Sequence, residues 1–417
     1  MKIAVEGCAH GDLDNIYATM QHLERMENIK IDLLICCGDF QAVRNEDDLH
    51  CMACPNKYKS MKTFWKYYAG EETAPYPTIF VGGNHEASNH LWELYYGGWA
   101  APQIFYLGCA GVIRFGSLRI GGLSGIFKPR DYHSGHYERP PYNQNELRSI
   151  YHVREYDVFR LLQIQDPIDI FISHDWPRGI AKFGDVVSLL RHKPFLEEEI
   201  MNGSLGSVPG EVLLQKLKPS YWFAAHLHTK FAALVQHSTG EITKFLALDK
   251  CLPKRDFLQV IDIAVEDSTP EFRYDEEWLA IVRACNPFLP MGLQCRALPR
   301  PEDLETETHR EWVKNRLLER GRAVPTDFRV AVTPFNPTET KQIPLSSHSG
   351  HARNPFTESF LLLLDLPYIL DGSCLLEEQH VMKQGSSALD RDPSEIELNE
   401  FDDDSVPDDV DESGEIE

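Results

Sequence analysis

Tyr76-Pro77-Thr78-Ile79-Phe80-Val81-Gly82-Gly83-Asn84-His85-Glu86 decides how this chain folds. A short run of aromatic and β-branched residues stops at two glycines. An amide, an imidazole and a carboxylate follow at once. The pattern predicts a buried strand that delivers polar groups at its C-terminal end, where open α/β sheets place their chemistry. Four other stretches repeat the design: Cys8-Ala9-His10 after a strand over residues 1–7, Gly38-Asp39 after 32–37, Ser173-His174-Asp175 after 168–173, and Ala225-His226-Leu227-His228 after 221–225.

Between these strands the pattern is helical. Leu13, Ile16, Tyr17, Met20 and Leu23 share one face of a helix that Asp12 or Asp14 would cap. Residues 57–68 read as a helix carrying Lys57, Lys59, Lys62 and Lys66, a possible second basic face. Residues 150–162 read as another helix, and 111–123 as a β-hairpin. Residues 127–145 are rich in Pro, His, Tyr and Arg without periodicity, and a loop of that length inside a compact domain is usually functional. Further β runs follow at 231–237, 242–248 and 257–265, and after that the α/β rhythm stops. The expected organisation is an α/β catalytic domain over 1–250, a small, mostly helical C-terminal subdomain over 251–337, and a largely disordered stretch over 338–417. Within that stretch, residues 360–366 are apolar enough to dock.

The chain has 417 residues and a net charge of −23, which at first argues against a nucleic-acid partner. Residues 377–417, however, hold 16 acidic and 2 basic residues, so −14 of that charge lies there and −9 on the remainder. The body can therefore carry basic patches beside an acidic, disordered tail, and the tail is a candidate site for a basic protein partner. No apolar run approaches the ~20 residues of a membrane span. Ten irregularly spaced cysteines point to a reducing compartment. Cys51-x-x-Cys54 resembles half of a zinc site, but with no second pair nearby it reads as free thiols.

The five strand ends all carry metal-ligand residue types. Parallel strands bring their C-terminal ends to one edge, so Cys8, His10, Asp39, Asn84, His174, His226 and His228 can converge. Two divalent cations about 3.5–4 Å apart need a shared anionic bridge and can hold a hydroxide between them. Asp39, with two carboxylate oxygens, is the natural bridge; imidazoles suit Zn²⁺ or Fe²⁺, and Asn84 offers an amide oxygen. Taken singly, each stretch reads equally well as ordinary strand-end or turn chemistry.

The order Cys8-x-His10, Gly38-Asp39, Gly83-Asn84-His85-Glu86, His174 and His226-x-His228 resembles the calcineurin-like metallophosphoesterases over residues 1 to about 250. Cys8 stands where most members have Asp, and Ala225 where most have Gly. The cysteine, the 127–145 insertion, Gly38-Asp39-Phe40-Gln41-Ala42 and Phe80-Val81-Gly82-Gly83-Asn84-His85-Glu86 together resemble the lariat debranching family. That resemblance implies a two-sheet β-sandwich flanked by helices and two divalent ions, with Fe²⁺ and/or Zn²⁺ expected and Mn²⁺ able to substitute. It implies Cys8, His10, Asp39 and His228 around one ion, and Asp39, Asn84, His174 and His226 around the other. His85 would be the general acid or a stabiliser of transition-state charge, and Asp175 and Glu86 would orient ligands. A thiolate at Cys8 favours Zn²⁺ or Fe²⁺ over Mg²⁺; the alternative is a small buried residue beside a weak site.

The implied activity is hydrolysis of the 2′–5′ phosphodiester at the branch of excised intron RNA, with a nuclear location and a cytoplasmic pool as a second expectation. Branch selectivity has to come from shape. Lys128 and Arg130 would meet phosphate, with Tyr132, His133, His136, Tyr137 and Tyr142 stacking on bases. Two other functions fit the fold. A phosphoprotein phosphatase would need Asp-Arg-Gly where Phe40-Gln41-Ala42 stands, and a non-catalytic scaffold would tend to have lost ligands.

Overall fold

The computed structural model of the chain describes residues 1–265, 269–294, 297–338 and 351–371. Its strands are β1 (Lys2–Glu6), β2 (Leu33–Cys36), β3 (Thr78–Phe80), β4 (Gly98–Ala101), β5 (Ile104–Tyr106), β6 (Ala110–Phe115), β7 (Leu118–Leu123), β8 (Ile170–Ser173), β9 (Tyr221–Ala224), β10 (Phe231–Gln236), β11 (Ile242–Ala247), β12 (Leu258–Asp262) and β13 (Phe272–Tyr274). One sheet has the order β12-β1-β2-β3-β5-β4, and the other β10-β11-β9-β8-β7-β6-β13. β1, β2, β3 and β5 run parallel, as do β7, β8, β9 and β11.

The parallel strands are buried on both faces, which explains their near-continuous apolar sequence. Ala4, Leu34, Cys36 and Phe80 pack against Leu13, Ile16, Tyr17 and Met20 of the helix Leu13–Glu27 and against Phe64 and Tyr68. Ile3, Val5, Leu33, Ile35 and Ile79, on the other face of those strands, are equally enclosed. The two sheets are stitched together where β3 and β7 end: the Gly82 N–H donates to Ser124 Oγ (2.9 Å) and the Gly125 N–H to the Gly82 carbonyl (2.8 Å). The ligand-bearing ends of both sheets thus lie side by side. No described helix is long and apolar enough to cross a membrane.

Three expectations differ from the structure. The helix Leu13–Glu27 is capped from a distance: its first N–H groups donate to Thr63 Oγ1, while the Asp12 side chain makes no cap bond. The continuous helix over 57–68 is a short 3₁₀ turn at Asn56–Tyr58 and a helix at Phe64–Ala69. Lys62 takes a left-handed φ of 44°, which no α-helix accommodates. Phe64, Trp65, Tyr67 and Tyr68 face inward and Lys66 pairs with Asp14, so the second basic face does not form.

The C-terminal part completes both sheets. β12 pairs antiparallel with β1 along its length and β13 with β6, and the helices Glu276–Cys285 and Thr306–Arg320 pack beside them. Residues 251–337 therefore lie within one compact unit, Met1–Cys374, together with the strands they extend. Residues 351–371, expected in the largely disordered stretch, form a docked helix, Pro355–Leu364, with the expected burial in the 360–366 region. Phe360 stacks on Tyr96 at 5.7 Å between centroids, Thr357 Oγ1 donates to the Glu93 carbonyl, and Trp92 Nε1 donates to the Leu370 carbonyl. The acidic stretch from residue 377 lies outside the described residues. Phe360→Ala removes the ring that anchors this helix and is expected to cost about 3–5 kcal/mol, read as a lower urea midpoint with an unchanged slope.

Candidate metal centre

Each predicted ligand sits just beyond a strand end, and the backbone there is bent sharply. His10, Asp39, His226 and His228 have left-handed φ values of 46°, 45°, 64° and 46°. Non-glycine residues held there cost on the order of 1 kcal/mol or more each, and such strain gathers at functional sites. The bends bring Cys8 and His10, two residues apart, into one donor group, while His226 and His228 reach different ones. Glycines make the room: a side chain at Gly38 would strike the His174 ring, and one at Gly83 would strike Asp39 Oδ1.

The donors of Cys8, His10, Asp39 and His228 all lie within 4.8 Å of one another. His10 Nε2 is 3.4 Å from His228 Nε2 and 4.0 Å from Asp39 Oδ2. A second group meets the other carboxylate oxygen: His174 Nε2 is 3.4 Å from Asp39 Oδ1 and 3.2 Å from Asn84 Oδ1. The His226 ring lies 4.9 Å from the His174 ring between centroids. His174 Nδ1 donates to the Cys37 carbonyl at 2.9 Å, which leaves its Nε2 lone pair for a ligand.

Burial sets the charge states. It lowers His10 to about 4 and His226 to about 3, so both imidazoles are neutral near pH 7. Burial alone would raise Asp39, but His174, His85 and His10, together with the His85 N–H at 2.8 Å, hold its carboxyl far below the usual range. Burial pushes the Cys8 thiol well up, with the charges of Asp39 and Glu6 adding to the effect. A cation therefore has to displace the thiol proton, and in return it balances the buried carboxylate. A thiol, two neutral imidazoles and a carboxylate are a donor set that fits a divalent cation.

Glu86 and Asp175 act on backbone. Glu86 Oε1 accepts from the N–H groups of Phe40 (2.8 Å) and Gly83 (2.9 Å), and its Oε2 from Gln41 (2.8 Å). Burial, reinforced by Asp39, raises Glu86 to about 8 despite those donors. Asp175 accepts from Phe127 at 3.1 Å and Trp176 at 3.0 Å, fastening the start of the insertion to the end of β8.

Comparison with known proteins agrees with this geometry. The sequence model for calcineurin-like phosphoesterases matches residues 1–230, and that for the C-terminal domain of lariat debranching enzymes matches 240–369. The lariat debranching enzyme of Arabidopsis thaliana is 53% identical over 100% of this chain and 97% of its own length. That of Danio rerio is 51% identical over 89% of this chain and 67% of its own. The chain belongs to the lariat debranching enzyme family. The human member is 49% identical, covering 91% of this chain and 72% of its own length.

The insertion, read from sequence as this family's recognition loop, is more ordered than its composition implied. It holds a short helix, Pro129–Tyr132, and rests on buried polar contacts: the ion pair of Arg154 with Glu138, and the hydrogen bonds of His152 Nδ1 with Asp131 (2.6 Å) and His136 Nε2 with Asp157 (2.9 Å). His136 is buried in its pair with Asp157, so it is not available to stack on RNA. The Tyr137 hydroxyl donates to Ser149 and its ring packs under Arg154, while the Tyr142 hydroxyl meets His351 Nδ1 at 3.3 Å. Lys128, Arg130, Tyr132, His133, Tyr137 and Tyr142 all keep some solvent access. Lys128 is near enough for its charge to be felt by Asp175 and His226. Sequence reading missed Gln41, whose amide lies 3.2 Å from His10 Nδ1, and Arg154. Gln41's place beside Gly38-Asp39 was its only signal.

Arg154 is fully buried, and Arg154→Met would strand the Glu138 carboxylate without its partner. The expected loss is about 3–5 kcal/mol of stability, measured by urea unfolding.

Proposed function

We propose that this chain hydrolyses the 2′–5′ phosphodiester at the branch of lariat RNA, giving a linear RNA for turnover. The observation that carries the reading is a pair of donor groups built on the two oxygens of one buried carboxylate, Asp39, in a chain of the lariat debranching family. Cys8, His10, Asp39 and His228 would hold one divalent ion; Asp39, Asn84, His174 and His226 would hold the other. The thiol favours Fe²⁺ or Zn²⁺, and Mn²⁺ is expected to substitute. When bound, such a pair of ions polarises the phosphoryl oxygens and makes a nucleophile of water at neutral pH.

The chain's own groups do the rest. The neutral imidazoles offer lone pairs, and Glu86 holds the loops that carry Asp39 and Asn84. His85 fills neither donor set; its ring stands edge-on to His10 at 5.7 Å between centroids. There it can pass a proton to the departing 2′-oxygen or lie against the charge that develops on it. Lys128 and Arg130 would contact phosphate, with Tyr132 and His133 against bases. Tyr137 and Tyr142, both partly exposed, would also stack on bases, while the buried His136 would serve by holding the insertion in shape. A phosphoprotein phosphatase is disfavoured because Phe40, which follows Asp39, is buried and stacked on Phe80 at 3.9 Å. A nuclear location and a basic partner for the acidic stretch after residue 377 belong to the same proposal.

The test compares a synthetic branched RNA with its 3′–5′ linear counterpart. The metal-loaded protein should release only the 2′-linked arm. His85→Ala should lower kcat by about 10²–10⁴-fold with metal content unchanged, and Lys128→Ala should raise KM while leaving kcat near its original value. Cleavage of both RNAs, or full activity in His85→Ala, would overturn the assignment.

A further inference from the structure

His10 can bind a cation through Nε2 only if its ring proton sits on Nδ1, because Nε2 is the atom that faces His228 and Asp39. Whatever meets Nδ1 therefore decides whether the lone pair is available. At His174 that partner is the Cys37 carbonyl, which can only accept. At His10 it is the side-chain amide of Gln41, whose Nε2 lies 3.2 Å from Nδ1. An amide head carries an acceptor and a donor, and turning it by half a revolution exchanges them. With the amide nitrogen toward Nδ1, the ring carries its proton on Nε2 and the donor set of Cys8, His10, Asp39 and His228 is one lone pair short.

We infer that Gln41 is a positioning residue for the cation: with its amide oxygen turned toward Nδ1, it selects the tautomer of His10 whose Nε2 lone pair faces Cys8, Asp39 and His228. Three features of the surroundings fit the role. The Gln41 side chain is buried, so its amide is held beside Nδ1 rather than turned out to solvent. Its backbone is held at a left-handed φ of 57°, a conformation that glutamine does not choose freely. Its N–H is gripped by Glu86 Oε2 at 2.8 Å. Glu86 thus acts on His10 through Gln41, and one of the two donor groups depends on an amide that can turn while the other relies on a fixed carbonyl.

The inference rests on the ligand role proposed for Cys8 and His10, and the test separates the two. Metal-free protein is titrated with Co²⁺, following the thiolate-to-cobalt charge-transfer absorption that reports Cys8. Gln41→Met keeps the length of the side chain but offers no oxygen acceptor, and should weaken Co²⁺ binding at this site by about 10–100-fold. Gln41→Glu, which can only accept, should restore wild-type affinity or better. In a His10→Ala background, Gln41→Met should have no further effect. Wild-type affinity in Gln41→Met would overturn the role of Gln41 alone. Weak binding in Gln41→Glu would do the same, and it keeps the inference testable if the Met variant fails to fold. Absence of the charge-transfer band in the wild type would overturn the ligand role of Cys8, and this inference with it.

Discussion

The buried carboxylate of Asp39 is the constraint around which the rest of the molecule is arranged. A charge 1% exposed to solvent is costly unless it is paired and hydrogen-bonded. Here it gains the His85 N–H and the neighbouring imidazoles of His174 and His10, but no lysine or arginine reaches it among the described ion pairs. The balancing charge that a buried carboxylate demands is what a cation provides. The strained turns at His10, Asp39, His226 and His228 follow from the same arrangement. They hold donors at close quarters against their mutual repulsion, and binding a cation repays that strain, so metal occupancy and folding stability are coupled.

The two sheets divide this work. β1, β2 and β3 supply Cys8, His10, Asp39 and Asn84, while β8 and β9 supply His174, His226 and His228. Neither half could close a donor set around Asp39 alone. The contacts that join them are short-range and mostly backbone: His174 to the Cys37 carbonyl, and Gly82 to Ser124 and Gly125. β12 adds a nonlocal lock by pairing with β1 immediately before Cys8, and the Cys251 N–H donates to the Cys8 carbonyl. The C-terminal residues therefore bear on the first ligand although they contribute no ligand themselves.

That division also explains what could be read from the sequence. Strands ending in donors were legible because burial on both faces writes an uninterrupted apolar run and the chemistry follows at its end. β13 was not, since a short strand at a sheet edge carries little periodic signal and its partner lies far away in sequence. The break at Lys62 was hidden because a left-handed residue other than glycine leaves no compositional mark. Aromatic density in the insertion was real, but composition does not distinguish a ring open to solvent from one buried in a hydrogen-bonded pair, as His136 is with Asp157.

The insertion's buried ion and hydrogen-bond pairs say more about geometry than about stability. Replacing such pairs with apolar residues is often neutral or favourable, so they are a poor means of holding a loop merely folded. What they add is direction. Arg154 bonds Glu138 and the carbonyls of Asp131 and Ser149 at once, and Asp157 gathers His136, Arg160 and Tyr95. Each bond fixes an angle as well as a distance, and together they hold a segment that sequence alone reads as irregular. Asp175 then ties that frame to the end of β8, one residue after His174. The start of the insertion is thereby tied to the ligand-bearing edge, together with the bond from the Gly125 N–H to the Gly82 carbonyl. A shift of the loop at Phe127 is therefore felt at Asp175, next in the chain to His174.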